Sequence, residues 1–123
     1  MRFSLDVDRS VNTIFAYAKG HIVINDKKIH RSVVITPERL VTDWPPQRFV
    51  DLEAGHFEWI VKLEPEIVLL GTGSHQHFPR TQLVRPLIER GLGVEVMDTA
   101  AACRTYNIIV AEGRRVAAAL LMI

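Results

Sequence analysis

The sequence predicts an α/β domain whose first half is β-rich and antiparallel, and three observations carry that prediction. Residues 13–43 offer short β-prone runs separated by turn residues. Trp44-Pro45-Pro46 then stops the pattern. From Glu66 to the carboxyl end, strand-like and helix-like segments alternate. The 123 residues suit one domain spanning 1–123, and a content of 48% hydrophobic and 24% charged residues belongs to a folded chain.

The β-prone runs are Thr13–Tyr17, His21–Ile24, Ile29–Ile35 and Leu40–Val41. Lys19-Gly20 and Asn25-Asp26-Lys27-Lys28 read as hairpin turns, since Gly, Asn and Asp tolerate the backbone angles tight turns require. Such a meander pairs neighbours in sequence, so this whole half reads as antiparallel. Beyond the prolines the period lengthens. Leu52, His56, Trp59, Ile60 and Leu63 share one helical face, with Asp51 as the expected N-cap and Glu53 favourable in the first turn. Gly55 weakens that helix by ~1 kcal/mol.

Ile67–Leu70 is a short continuous apolar run ended by Gly71. Helical spacing returns at Leu83, Leu87 and Ile88 and closes at Gly91, with Pro86 marking a kink or a late start. Val94–Met97 is the next strand. Asp98 or Thr99 then caps a helix that turns Ala102, Tyr106, Ile109 and Val110 inward, and Gly113 ends it at C′. Val116–Ile123 returns to the sheet as a strand buried on both faces, although its three alanines argue weakly for a strand.

A formal net charge of +1 leaves no basic footprint, so nucleic acid is not the expected partner. The single cysteine cannot form an intramolecular disulfide, and a reducing compartment follows. The first nine residues contain Asp6 and Asp8 and no apolar run, unlike a secretory signal or an acid-poor transit peptide. The apolar carboxyl end is far short of the roughly 20 residues a spanning helix needs. A cytoplasmic protein with no membrane span is expected.

Ligands of open α/β sheets sit beyond the carboxyl ends of the strands. That rule selects Gly71, Thr72, Gly73, Ser74 and His75, together with Asp98 and Thr99 after the next strand. Pro79 suits the first turn of a helix whose free N–H groups can receive an anion, and Arg80 adds charge. A small anion or polar metabolite is the ligand class that follows. The sharper motifs are absent. Gln76 stands where a dinucleotide fingerprint needs its third glycine. No Gly-Lys-Ser/Thr occurs, and Ser74 lacks the flanking glycines of a nucleophile elbow. Asp98 would itself occupy the helix-start donors and repel a phosphate. Two readings therefore stand side by side: a ligand-binding loop, or a Gly-rich turn that closes tightly for packing.

His75 and His77 form a close pair with no third metal ligand marked by spacing, and solvated loop histidines are the plainer reading. Cys103 falls in the second turn of its helix and reads as a small hydrophobe rather than a nucleophile. Trp44 either displays an aromatic anchor to a partner or covers the domain edge. No catalytic residue, metal or cofactor is assigned.

Leu69-Leu70-Gly71-Thr72-Gly73, the stretch from Gly91 through Met97-Asp98-Thr99 to Thr105-Tyr106-Asn107, and Glu112–Ala118 carry a resemblance. The chain resembles a family of small, largely uncharacterised bacterial and archaeal proteins that includes mitochondrial respiratory complex I assembly factor three. The resemblance implies a three-layer α/β fold around a mixed central sheet, with an additional N-terminal antiparallel β layer. It implies no catalytic residues. It places Gly71, Thr72, Gly73, Asp98, Thr99, Thr105 and Asn107 in the family pattern, along one edge of the sheet. The mitochondrial member works with protein partners in building a membrane complex, so a protein partner is implied here by analogy. Asn107 either pins a neighbouring segment by hydrogen bonds or lines the crevice beside Gly71–Gly73.

Two functions follow. The first is a non-enzymatic binding or assembly protein that uses the sheet-edge crevice or the Trp44-Pro45-Pro46 surface. The second is a small-molecule binder or enzyme centred on Gly71–Pro79 and Asp98. A closed, well-packed crevice favours the first and an open polar pocket the second.

Overall fold

A computed structural model of the chain describes residues 10–123, so the expected amino-terminal pair Asp6 and Asp8 lies outside the described residues. The strands are β1 (Ile14–Ala18), β2 (His21–Ile24), β3 (Lys27–Ile29), β4 (Val33–Ile35), β5 (Leu40–Val41), β6 (Ile67–Thr72), β7 (Val94–Met97) and β8 (Val116–Leu121). The helices are α1 (Ala54–Val61), α2 (Thr81–Ile88) and α3 (Thr99–Ala111). β1, β2 and β3 form an antiparallel three-stranded sheet. The other five form a mixed sheet in the order β5-β4-β8-β6-β7. In it β6 pairs parallel with both β7 and β8, while β4 pairs antiparallel with β8 and β5.

The two faces of the mixed sheet follow from strand alternation. Val33, Ile35, Leu69, Val116, Ala118 and Leu120 point to one core, where they meet Ala102, Cys103, Tyr106 and Ile109 of α3 and Ile14, Ile22 and Ile24 of the small sheet. Val34, Val68, Leu70, Ala117, Ala119 and Leu121 point to the other, with Trp44, Phe57, Ile60, Val84 and Leu87. The layers are therefore α1 and α2, the mixed sheet, and α3 beside the added β sheet. All six residues of β8 are buried, and its three alanines share their cores with Tyr106 on one face and with Trp44 and Phe57 on the other. Small residues at the sheet centre leave room for large partners, so packing overrides their poor strand propensity.

The run read as one strand from Ile29 to Ile35 is two strands in two sheets. β2 alternates between buried and half-buried positions, as a sheet with one covered face does, whereas Val33–Ile35 is buried throughout. That difference sends β4 into the central sheet and ends the meander at β3. Lys27 and Lys28 belong to β3, which leaves Asn25-Asp26 as the turn, with Asn25 at φ 57°. β7 is an edge strand with Glu95 exposed, not a strand buried like β6 and β8. β8 ends at Leu121, two residues earlier than expected.

Asp51 does not cap α1. It closes a short 3-10 turn, Phe49–Asp51, where its carboxylate accepts from the Arg48 N–H at 3.0 Å and is held below the usual carboxyl range. The N-cap of α1 is Glu53, and its backbone N–H donates to His56 Nδ1 at 3.0 Å. Pro86 lies inside α2, and the helix starts at Thr81 behind Arg80, so Pro79 precedes it rather than opening it. Asp98 caps α3 as expected: its Oδ1 accepts from the Ala101 N–H at 2.9 Å. Gly113 follows α3 at φ 77°, the left-handed conformation that a glycine C′ supplies.

Candidate functional site

The carboxyl ends of β6 and β7, the start of α3 and the end of β8 converge on one junction, and the residues selected from sequence sit there in part. β6 does not end at Gly71 but runs through it to Thr72. A Cβ on Gly71 would stand 3.0 Å from both Cα and Oγ1 of Thr99 and 3.1 Å from Cβ of Ala102. Gly71 is thus a close-approach glycine where α3 presses on the sheet.

Thr99 is fully buried, and its hydroxyl ties three elements together. It accepts from the Gly73 N–H at 2.8 Å and donates to the Leu121 carbonyl at 2.6 Å, while the Thr99 N–H donates to the Gly73 carbonyl at 2.9 Å. Gly73 itself adopts φ 95° and faces the Met122 carbonyl. Thr72 Oγ1 lies 2.6 Å from the His75 carbonyl and 3.3 Å from that of Met97. A hydroxyl has one proton, and the shorter geometry assigns it to His75. The same oxygen accepts from the His77 N–H at 3.1 Å. The Thr72 and Thr99 hydroxyls and the Gly73 backbone of this floor are all engaged with the protein itself.

Ser74 and His75 are exposed above that floor. The loop carrying them is anchored by Gln76, whose amide donates to the Val96 carbonyl at 2.9 Å. A tilted contact of the His77 ring with Phe49, at 5.3 Å between centroids, adds a second anchor. His75 and His77 stand 6.5 Å apart. Thr105 is half-buried further along α3. Asn107 belongs elsewhere: its side-chain oxygen accepts from the Ile14 N–H at 3.0 Å and its nitrogen donates to the Ile14 carbonyl at 2.7 Å. It clamps β1 to α3, across 93 positions of sequence. The structure brings together Gly71, Thr72, Gly73, Asp98 and Thr99, with Ser74 and His75 above them, and sets Asn107 against the small sheet.

Cys103 is 1% exposed, and burial pushes its thiol up to about 12. Trp44 is 2% exposed, so it covers the domain edge instead of projecting to a partner. Five large apolar residues project among the described residues, and two of them, Phe78 and Val50, are chain neighbours of the Phe49–His77 pair. Phe78 is 72% exposed at the end of the anchored loop, and Val50 is 74% exposed beside Phe49. Their signal in the sequence is weak, since a single apolar residue in a polar loop reads equally as core or surface.

A closed sheet-edge junction beneath a loop with one exposed phenylalanine is set here in a small mixed α/β fold. The chain belongs to the family described as protein of unknown function (DUF498/DUF598), whose model matches residues 14–121. It is 33% identical over 110 residues to a Bos taurus protein named NADH dehydrogenase (ubiquinone) 1 alpha subcomplex assembly factor 3, covering 88% of this chain and 59% of that protein. The chain thus spans about three fifths of that relative's length. It is 26% identical over 108 residues to a 13 kDa major membrane protein of Francisella tularensis subsp. holarctica, covering 85% and 86% of the two chains. A crystal structure of a Bordetella parapertussis protein superposes with a TM-score of 0.87 at 44% identity, covering 93% of this chain and 98% of that one. Among the described residues, no helix is long and apolar enough to cross a membrane.

Proposed function

We propose that this protein is a non-enzymatic binding or assembly factor that docks a protein partner on the loop above the Gly71–Thr99 junction. The exposure of Phe78 and Val50, the chain neighbours of the touching rings His77 and Phe49, carries the reading. An apolar side chain held at this exposure by an anchored loop, as Phe78 is, loses little conformational freedom on binding, which favours association. The cow relative's name supports an assembly role by analogy. In this reading Gly71, Thr72, Gly73, Asp98 and Thr99 are the framework, and Ser74, His75 and Phe78 meet the partner. The protein acts in the cytoplasm, where its single thiol stays reduced.

The test is photo-crosslinking in cells from position 78, with position 88, another exposed apolar site on α2, as the control. The expected result is one reproducible protein adduct from position 78 that is absent from position 88. Adding Val50→Glu to the crosslinking protein should abolish the adduct and leave the fold intact. Equal labelling from both positions, or an adduct indifferent to Val50→Glu, would overturn the proposal.

A further inference from the structure

A cleft of about 780 Å³ lies between β5 with its following segment and α1, and Arg39, Asp43, Trp44, Gly55, His56 and Trp59 are among the residues that line it. Its size falls within the range of small-molecule sites. Two features of its walls are unexplained by packing. Gly55 sits inside α1, where alanine is the better helix former, yet a Cβ there would meet nothing within 4 Å. Nothing in the packed protein asks for glycine at this position, and its bare backbone lines the cleft. Trp44 is 98% buried, and its indole N–H has no acceptor; it is the one buried side-chain nitrogen or oxygen in that state among the described residues. Arg39 adds a basic side chain, exposed and without an ion-pair partner among the described residues.

Arg39 and His56 bring donors to the cleft, and Asp43 brings an acceptor. The Glu53 N–H donates to His56 Nδ1, so the proton of that imidazole resides on Nε2. The His56 and Trp44 rings stand edge to face, 5.9 Å between centroids. The imidazole N–H and the Arg39 guanidinium together suit an anionic acceptor. Trp59, Leu40 and Val41 provide apolar walls for a flat body. Asp43, on the same cleft, opposes a second negative charge and so selects a monoanion over a phosphate dianion.

We propose that this cleft binds a small organic monocarboxylate with a flat apolar body, its carboxylate on Arg39 and His56 and its body against Trp59 and the bare backbone of Gly55. The site is separate from the Phe78 loop and does not depend on the assembly reading.

The chain has two tryptophans, and both line the cleft, so the two indole N–H resonances of the full chain report its occupancy directly. Phenylacetate is the probe, phenylacetamide its neutral counterpart and inorganic phosphate the dianion control. Phenylacetate should shift both indole signals saturably by about 10 mM, and phenylacetamide should bind about tenfold more weakly. Phosphate should leave the signals in place. Arg39→Gln should weaken phenylacetate about tenfold. Gly55→Ala should keep or raise Tm while weakening binding by a similar factor, a combination that a purely structural glycine does not produce. Absence of a saturable shift with phenylacetate, equal binding of the amide, or unchanged binding by Gly55→Ala overturns the proposal.

Discussion

The junction at Gly71, Gly73 and Thr99 and the cleft between β5 and α1 use similar residue types to opposite ends. At the junction the glycines admit a helix against the sheet, and each hydroxyl has its donor and acceptor inside the protein. At the cleft the glycine admits nothing from the fold, and an indole N–H lacks an acceptor. A glycine is therefore informative only with its neighbours. Where a Cβ would clash, the residue serves packing; where a Cβ would meet open space inside a helix, packing does not require the glycine.

The largest effect that can break this contrast is at the junction. Gly71→Val forces a branched side chain onto Thr99 and Ala102 and should lower unfolding stability by about 3 kcal/mol in urea titration. Wild-type stability would show that the approach is slack. Thr99→Val keeps the shape but strands the Gly73 N–H and the Leu121 carbonyl, for an expected loss of about 2 kcal/mol.

A third effect is set by pH. The Cys103 thiol rises from an ordinary value of 9.0 to about 12 in the fold, so the folded state holds a proton that the unfolded state releases. That contribution to stability is complete below about pH 9 and is lost between about 9 and 12. Native protein at pH 8 should resist thiol-specific alkylation, and denatured protein should react. Rapid labelling of the native state would place the thiol at the surface. The smallest stability effect belongs to the presented loop, where Phe78→Ala should change unfolding by less than about 0.5 kcal/mol. A larger loss would make Phe78 part of the core.

Most elements were legible from local signals. The α3 cap at Asp98, its stop at Gly113 and its inward face of Ala102, Tyr106 and Ile109 all follow from spacing and end chemistry. The candidate site was legible only as an address: Gly71, Thr72, Gly73 and Thr99 do meet, but their meeting is tight and internally bonded. Phe78 and the Arg39–Trp59 cleft were not legible, because exposure and concavity depend on what the rest of the chain covers.

Hydrophobic period, turn residues and helix ends are local quantities, so the sequence by itself determined where most strands and helices run and that the fold is α/β. It also marked Cys103 as a packed thiol. Partners across space are not local. Only tertiary structure decided that β4 leaves the meander for the central sheet and that Asn107 reaches Ile14 across the chain. The same holds for the cleft walls, drawn from residues 39–45 and 55–59. In each case the choice is made by which surfaces bury one another, and that free energy exists only once the chain has closed on itself.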